Sequence, residues 1–181
     1  SHAVSALQVA IEMMEGNPLF DLPDQSIEVP ILGAVNNKKL DEIPDEVEEL
    51  IEKGHRTLKV KVGWKPADDL HRLEIIQKAN AGRADIRLDA NQGFSCEDGI
   101  EFATSLQSDG ELQLFEQPCD KADWDSNAAV AAVSNVPVMM DESIYSIADV
   151  ERAGTMKGCG FVKPKISKLT GVDHLKQGLD R

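Results

Sequence analysis

Six short apolar runs recur along the chain at nearly constant intervals, and no other feature restricts the fold as strongly. They are "VPILGAV" from Val29, "TLKVKV" from Thr57, "DIRLD" from Asp85, "LQLFE" from Leu112, "VPVMMD" from Val136 and "GFVKPK" from Gly160. Their starts lie 28, 28, 27, 24 and 24 residues apart. Runs of this length and composition predict buried strands. Between them, "PDEVEELIEKG", "ADDLHRLEIIQKANAG", "CEDGIEFATSLQSDG", "DWDSNAAVAAVSN" and "SIADVERAGTMKG" space apolar residues by three and four, the helical period. The first of these opens on Pro and acids and closes on Lys-Gly, the punctuation of a helix. An amphipathic stretch, "VSALQVAIEMMEG", predicts one more helix ahead of the first strand.

Strand alternating with helix implies right-handed βαβ crossovers and a parallel sheet. A doubly wound sheet and a (β/α) barrel both satisfy that pattern. No G-x-G-x-x-G or G-x-x-x-x-G-K-[ST] follows any strand, which weakens the nucleotide-binding version. The predicted class is therefore α/β, a TIM-type barrel represented by about six βα units. A complete eightfold barrel typically takes about 250 residues.

Composition excludes some partners. At 181 residues and 41% hydrophobic, the chain can bury a substantial core as one domain. Its 19 Lys and Arg stand against 32 Asp and Glu, a formal charge of −13. Such a surface repels phosphate backbones and anionic lipid, so neither nucleic acid nor membrane is an expected partner. No apolar run approaches the roughly 18 residues of a membrane span. Cys96, Cys119 and Cys159 are odd in number with no C-x-x-C pair, and the four His form no zinc spacing. Free thiols and a reducing, cytoplasmic location are expected.

The polar residues sit at one end of the strands. In "TLKVKV", Leu58, Val60 and Val62 alternate with Lys59 and Lys61, so both amines share the face opposite the apolar residues. Lys61 nears the end of the second strand, Asp89 ends the third, Glu116 the fourth and Asp141 the fifth; Lys163 and Lys165 end the sixth. In a parallel barrel those ends form one rim, where barrel enzymes place their catalytic groups. A lone Asp after a strand is commonly a helix N-cap, and a lone Lys can reach solvent harmlessly. Three acids ending three consecutive buried strands are harder to explain that way, because uncompensated buried charge is costly. Without His or Cys they describe a hard-oxygen site suited to Mg²⁺, with Mn²⁺ as the alternative. Asn91 and Glu142 are candidates to support the ligands, or loop residues capping the next helices. Gln117 and Pro118 are expected to set the turn after Glu116.

"KVKVG", "RLDANQGF", "LFEQP", "MMDESI" and "KPKISKLTG" together resemble the enolase superfamily, in particular its muconate-lactonizing subgroup. The likeness runs from about Val4 to the C-terminus. The resemblance implies that Asp89, Glu116 and Asp141 ligate Mg²⁺. It implies that Lys61 and Lys165 are acid/base groups on opposite faces of a small-molecule carboxylate, with Lys59 supporting Lys61. The implied chemistry is abstraction of a proton α to a carboxylate through an enediolate, ending in racemisation or epimerisation, cycloisomerisation or dehydration. A homo-oligomer is implied as well. Lys163 and Lys165 share a strand face; Lys165 is preferred because it precedes Gly171 by six residues, as in the family. Where the family usually has Gly-Gly, Thr170-Gly171 stands here, and Thr tolerates positive φ poorly.

Residues 1–181 are accordingly expected to be a partial barrel domain, with an N-terminal capping domain and the last barrel strands lying outside the sequence. Two rivals remain at this point. A Schiff-base aldolase can also use a sixth-strand lysine but would not need the carboxylates. A truncated, non-catalytic barrel module would expose an apolar edge beside the sixth strand.

Overall fold

The computed structural model describes residues 2–21, 24–107 and 110–181. In chain order the elements are α1 (His2–Met14), a 3₁₀ turn (Pro18–Phe20), β1 (Gly33–Val35), α2 (Ile43–Glu52), β2 (Thr57–Lys61) and α3 (Pro66–Asn80). There follow β3 (Asp85–Asp89), α4 (Cys96–Ser105), β4 (Leu112–Glu116), α5 (Trp124–Val133) and β5 (Val138–Met140). The last are α6 (Ile147–Gly154), β6 (Cys159–Val162), α7 (Ile166–Leu169) and α8 (Val172–Leu179). The six strands form one parallel sheet in the order β1 to β6, each paired with its sequence neighbours, and β1 and β6 are its edges. Alternation of strand and helix thus gives the parallel sheet expected of it.

One face of the sheet carries the core. Leu58, Val60, Ile86, Leu88, Phe115, Val138 and Met140 pack with helix residues such as Val47, Ile76, Phe102, Val130 and Ala153. Each fully buried large side chain contributes roughly 1.5–3 kcal/mol relative to exposure. Phe94, Phe102 and Phe115 stack as an aromatic trio, with centroids 5.1, 5.3 and 6.3 Å apart. Because alternate strand residues point oppositely, burying Leu58 and Val60 commits Lys59 and Lys61 to the other face. That face receives the chemistry.

Two expectations shift. Only the second half of the run from Val29 pairs: the first strand is Gly33–Val35, while Val29 and Ile31 are exposed. The predicted first helix forms as α1, but its apolar residues Val4, Leu7, Met13 and Met14 face outward while Ser5 and Glu12 are buried. The reason is where it docks. It packs on α7, Ser5 Oγ donates to Ser167 O (2.9 Å), and Glu12 Oε2 accepts from Val172 N (2.9 Å). It therefore braces the segment that follows β6 through polar contacts. At the β6 edge Phe161 is 43% exposed.

Candidate functional site

The loops after the strands are held by side chains outside the lysine–carboxylate cluster that bond to backbone groups. Arg72, from α3, donates to the carbonyls of Lys61, Val35 and Asn37 (3.1, 3.1 and 3.2 Å), tying the ends of β1 and β2 together. Asp69 Oδ2 accepts from Gly63 N and Trp64 N (3.0 and 2.9 Å). Burial pushes the Asp69 carboxyl up, against those backbone bonds. Gly63 has φ +103°, and a Cβ there would lie 2.5 Å from Ala90 O; the loops after β2 and β3 meet backbone to backbone, which only glycine allows. Gln117, fully buried at φ +39°, accepts from Asp141 N (3.0 Å) and Ser143 N (3.1 Å). Its Nε2 donates to Ser143 Oγ (2.8 Å) and Cys119 O (3.1 Å). The turn residue expected after Glu116 is thus a clamp holding β4 to the segment carrying Asp141.

Asp89, Glu116 and Asp141 are each at most 2% exposed and come from three neighbouring strand ends. They are not helix caps: the helices after β3, β4 and β5 are capped by Ser95, Asp123 and Ser146. Every oxygen of the trio has a donor. Asp89 Oδ1 takes Asn91 N (3.0 Å), and its Oδ2 takes Lys59 (2.7 Å) and Lys61 (2.6 Å). Glu116 Oε2 takes Lys59 (2.9 Å) and its Oε1 Lys163 (2.9 Å). Asp141 Oδ2 takes Lys165 (2.7 Å), with Lys163 at 3.4 Å, and its Oδ1 takes Lys168 (3.0 Å). The buried carboxylates, which alone would be prohibitive, are compensated by five ammonium groups arrayed around them.

The electrostatics follow. Burial would push the Asp89 carboxyl up, but the hydrogen bonds from Lys59 and Lys61 outweigh it and hold it below the usual range. Asp141 is likewise held well below, against burial, by Glu116, Lys165 and Lys168. Glu116 goes the other way: burial and the neighbouring Asp141 raise it more than Lys163 and Lys59 lower it. Lys59, only 15% exposed, is pushed down by burial yet held above its ordinary value by Asp89 and Glu116. Those partners favour its ammonium form in the sheet face.

The sequence-identified residues Lys59, Lys61, Asp89, Glu116, Asp141 and Lys165 are all brought together, although Asp141 lies one residue past β5 and Lys165 three past β6. Asn91 and Glu142 join them: Asn91 donates to Glu142 Oε1 (3.0 Å) and accepts from Lys61. Lys163 is part of the same network. Lys168 is the residue sequence reasoning missed. Its signal was the spacing of three from Lys165, which puts both amines on one side of the α7 turn; its Nζ also bonds Asp141 O (2.7 Å) and lies over the Tyr145 ring. A cavity of about 610 Å³, lined by Val35, Lys61, Trp64, His71 and Arg72 among others, opens beside Lys61.

The donor chemistry fits a hard divalent cation, and next to that donor set Glu142 Oε2 is a buried oxygen with no hydrogen-bond partner among the described residues. As they stand, however, no three acidic, His or Cys side chains among the described residues are grouped to hold an ion. Ammonium groups occupy the carboxylate oxygens. The three cysteines are free, with burial pushing the Cys119 thiol up to about 12. No helix among the described residues is long and apolar enough to cross a membrane.

The chain is 32% identical over 170 residues to an L-Ala-D/L-Glu epimerase of Clostridium acetobutylicum, covering 86% of this chain and 48% of that protein. It is 35% identical over 150 residues to an o-succinylbenzoate synthase of Mycolicibacterium smegmatis, covering 81% and 44%. The chain thus spans about half the length of these relatives. Its fold matches a dipeptide epimerase of Cytophaga hutchinsonii solved with Mg and the dipeptide D-Ala-L-Val, with TM-score 0.76, 23% identity and coverage of 98% and 47%. Residues 42–180 match the model of the enolase C-terminal domain-like family, which contains the three acids and the lysines on both sides of them, and the chain belongs to that family.

Proposed function

We propose that this chain supplies the catalytic face of an enzyme that removes a proton α to the carboxylate of a small molecule. The observation that carries the reading is positional: Lys61 lies at the Asp89 end of the acidic row and Lys165 at the Asp141 end. The six-stranded sheet is then part of a (β/α) barrel, and the charged face is its inside rim.

The two amines divide the proton work. To act as base, Lys61 leaves Asp89, gives up its ammonium proton to solvent and presents the freed electron pair to the α-hydrogen, becoming an ammonium again as the C–H electrons pass into the carboxyl group. Lys165, as an ammonium, returns a proton to the opposite face of the resulting enediolate; the reverse direction exchanges the roles. Lys59 stays charged beside Lys61 and faces the anion that forms. Mg²⁺, with Mn²⁺ as the alternative, would be held by Asp89, Glu116 and Asp141 and would offset the second negative charge on the substrate carboxyl.

Return of the proton gives racemisation or epimerisation; loss of a β-group gives dehydration; internal addition gives cycloisomerisation. An amine on each side of the row, together with the similarity to the epimerase, supports epimerisation of an amino-acid-derived carboxylate. The cavity beside Lys61 offers room for the remainder of such a molecule. The uncovered β6 edge at Phe161 is what a non-catalytic folded module would show. Such a module would have no use for five lysines around three buried acids. Family membership leaves the aldolase reading without support.

The test is α-proton exchange in D₂O with Mg²⁺ and a panel of chiral α-substituted carboxylates and dipeptides, followed by proton NMR. Metal-dependent exchange is expected, with Lys61→Ala losing it for one antipode and Lys165→Ala for the other. A chain that binds the panel yet exchanges no α-proton would overturn the reading.

A further inference from the structure

Lys163 is the one amine of the cluster that reaches both Glu116 and Asp141, at 2.9 and 3.4 Å. The proposed chemistry gives it no task. It stands one residue beyond β6, with its backbone N–H bonded to Met140 O (2.9 Å) and Pro164 behind it, so its Cα is anchored in extended backbone. Its side chain is 37% exposed, against 15% for Lys59, which makes the equivalent bridge between Asp89 and Glu116 from within the sheet. Lys59 has nowhere to go. Lys163 has a four-carbon stem and an open route to water.

We infer that Lys163 is a tethered counter-ion, holding Glu116 Oε1 and Asp141 Oδ2 when no divalent cation is present and swinging into solvent when one binds. The inference rests on the proposed reading of Asp89, Glu116 and Asp141 as cation ligands. An ammonium and a divalent ion cannot share those two oxygens, because like charges a few ångströms apart repel strongly away from bulk water. Lys165 and Lys168 already neutralise Asp141 and Lys59 already neutralises Glu116, so a cation arriving with Lys163 still in place would meet a surplus of positive charge. Two consequences follow. The buried acids remain compensated without metal, so the fold does not depend on it. Affinity for the ion is correspondingly lowered by the competition.

The test compares the chain with Lys163→Met and, as a charge control, Lys38→Met, a lysine of the neighbouring cavity rim that the cluster does not include. Mn²⁺ and Mg²⁺ binding is measured by titration calorimetry, and melting temperature is read in EDTA and in Mg²⁺. Lys163→Met is expected to bind either ion at least tenfold more tightly, and to melt lower in EDTA with a larger gain on adding Mg²⁺. Lys38→Met should change affinity less than threefold. In the unaltered chain, acylation of Lys163 followed by mass spectrometry should be faster in saturating Mg²⁺ than in EDTA, a readout that needs no variant to fold. Equal affinity in Lys163→Met and the unaltered chain, or unchanged acylation on adding the ion, overturns the role of Lys163 while leaving the ion site intact. Absence of ion binding in every form overturns both this inference and the metal-dependent function.

Discussion

Lys61 and Asp89 are register partners on adjacent parallel strands, 28 residues apart, and the Nζ of one lies 2.6 Å from Oδ2 of the other. Asp89 and Glu116 are register partners in turn. In a parallel ladder, paired residues point to the same face, so β2, β3 and β4 deliver an amine and two carboxylates to one level without help from the loops. Asp141 breaks the series: Glu116 pairs with Met139, two residues earlier. Its placement therefore depends on Gln117 and on the lysines after β6.

Stability should fall at both pH extremes, for separate reasons. Asp89 and Asp141 are held below the ordinary carboxylate value of about 3.9, against burial, by the surrounding ammonium groups and, at Asp141, by Glu116. Their stabilisation is complete above that value and is lost as pH falls through the depressed folded values. Glu116 is raised by burial and by Asp141, so its opposing effect lies above about pH 4.3 and leaves the acid limb unopposed. Lys59, held above its ordinary value against burial, contributes fully below about pH 10.4 and loses that contribution as pH rises further. Urea midpoints should drop below about pH 4 and above about pH 10.4; a midpoint that rises on acidification below pH 4 contradicts the ion-pair network.

Lys59→Met tests the same network at fixed pH. The substitution keeps most of the apolar stem but leaves Glu116 Oε2 without its ammonium partner and Asp89 with Lys61 alone. Removing one member of a buried ion pair costs about 3 kcal/mol or more. Urea unfolding at pH 7 in EDTA should show a loss of that order, and added Mg²⁺ should recover part of it. A loss below about 1 kcal/mol would mean that the pair behaves as a surface salt bridge.

Gly63→Ala should cost about 2 kcal/mol or more. Its φ of +103° strains any L side chain, and the methyl would meet a backbone carbonyl, Ala90 O, which cannot rotate away. The loop after Lys61 would have to move. Thermal unfolding measures the cost, and a melting temperature within a degree of the unaltered chain would show that the two loops are not in contact.

Much of this was legible in the sequence because it is periodic. The strand positions from Thr57 onward, the shared face of Lys59 and Lys61, and the three acids at strand ends all follow from the two-residue alternation and the 24- to 28-residue repeat. The illegible parts are those where no period applies. Val29 to Leu32 looks like the start of a strand, but Val29, Ile31 and Leu32 are exposed and the strand begins only at Gly33. The docking of α1 on α7 joins residues about 160 apart through polar contacts, which an amphipathic pattern does not reveal. Lys168 was passed over because its role depends on the turn made by α7. Lys163 and Lys165 were separable only by resemblance, since both reach carboxylates of the trio.

Thr170 is the residue that departs from the family's glycine pair, and it sits at φ +60° and ψ +51° as the C-cap of α7. A left-handed conformation costs an L residue roughly 1–2 kcal/mol, and a β-branched side chain is among the least suited to it. Part of that is returned as lost chain entropy when glycine is introduced. Thr170→Gly should therefore stabilise the chain by about 1 kcal/mol, measured by urea unfolding, while leaving the lysine contacts of α7 unchanged. A destabilised variant would show that the threonine is held there by contacts worth more than the strain.

Gln117→Leu gives the clearest separation between packing and positioning. Leucine fills similar volume, but Asp141 N and Ser143 N lose their shared acceptor, and Ser143 Oγ and Cys119 O lose a donor. Buried donors left unsatisfied cost about 1–3 kcal/mol each, so a loss of about 3 kcal/mol in urea unfolding is expected. The same change frees the segment carrying Asp141, whose position the strand ladder does not set. Weakening the support of a ligand commonly lowers ion affinity by about 10- to 100-fold. Mn²⁺ titration of Gln117→Leu should show a drop in that range while Lys163→Met shows a gain, and since both variants lie outside the carboxylate trio, only geometry at Asp141 and competition at its oxygens explain opposite signs.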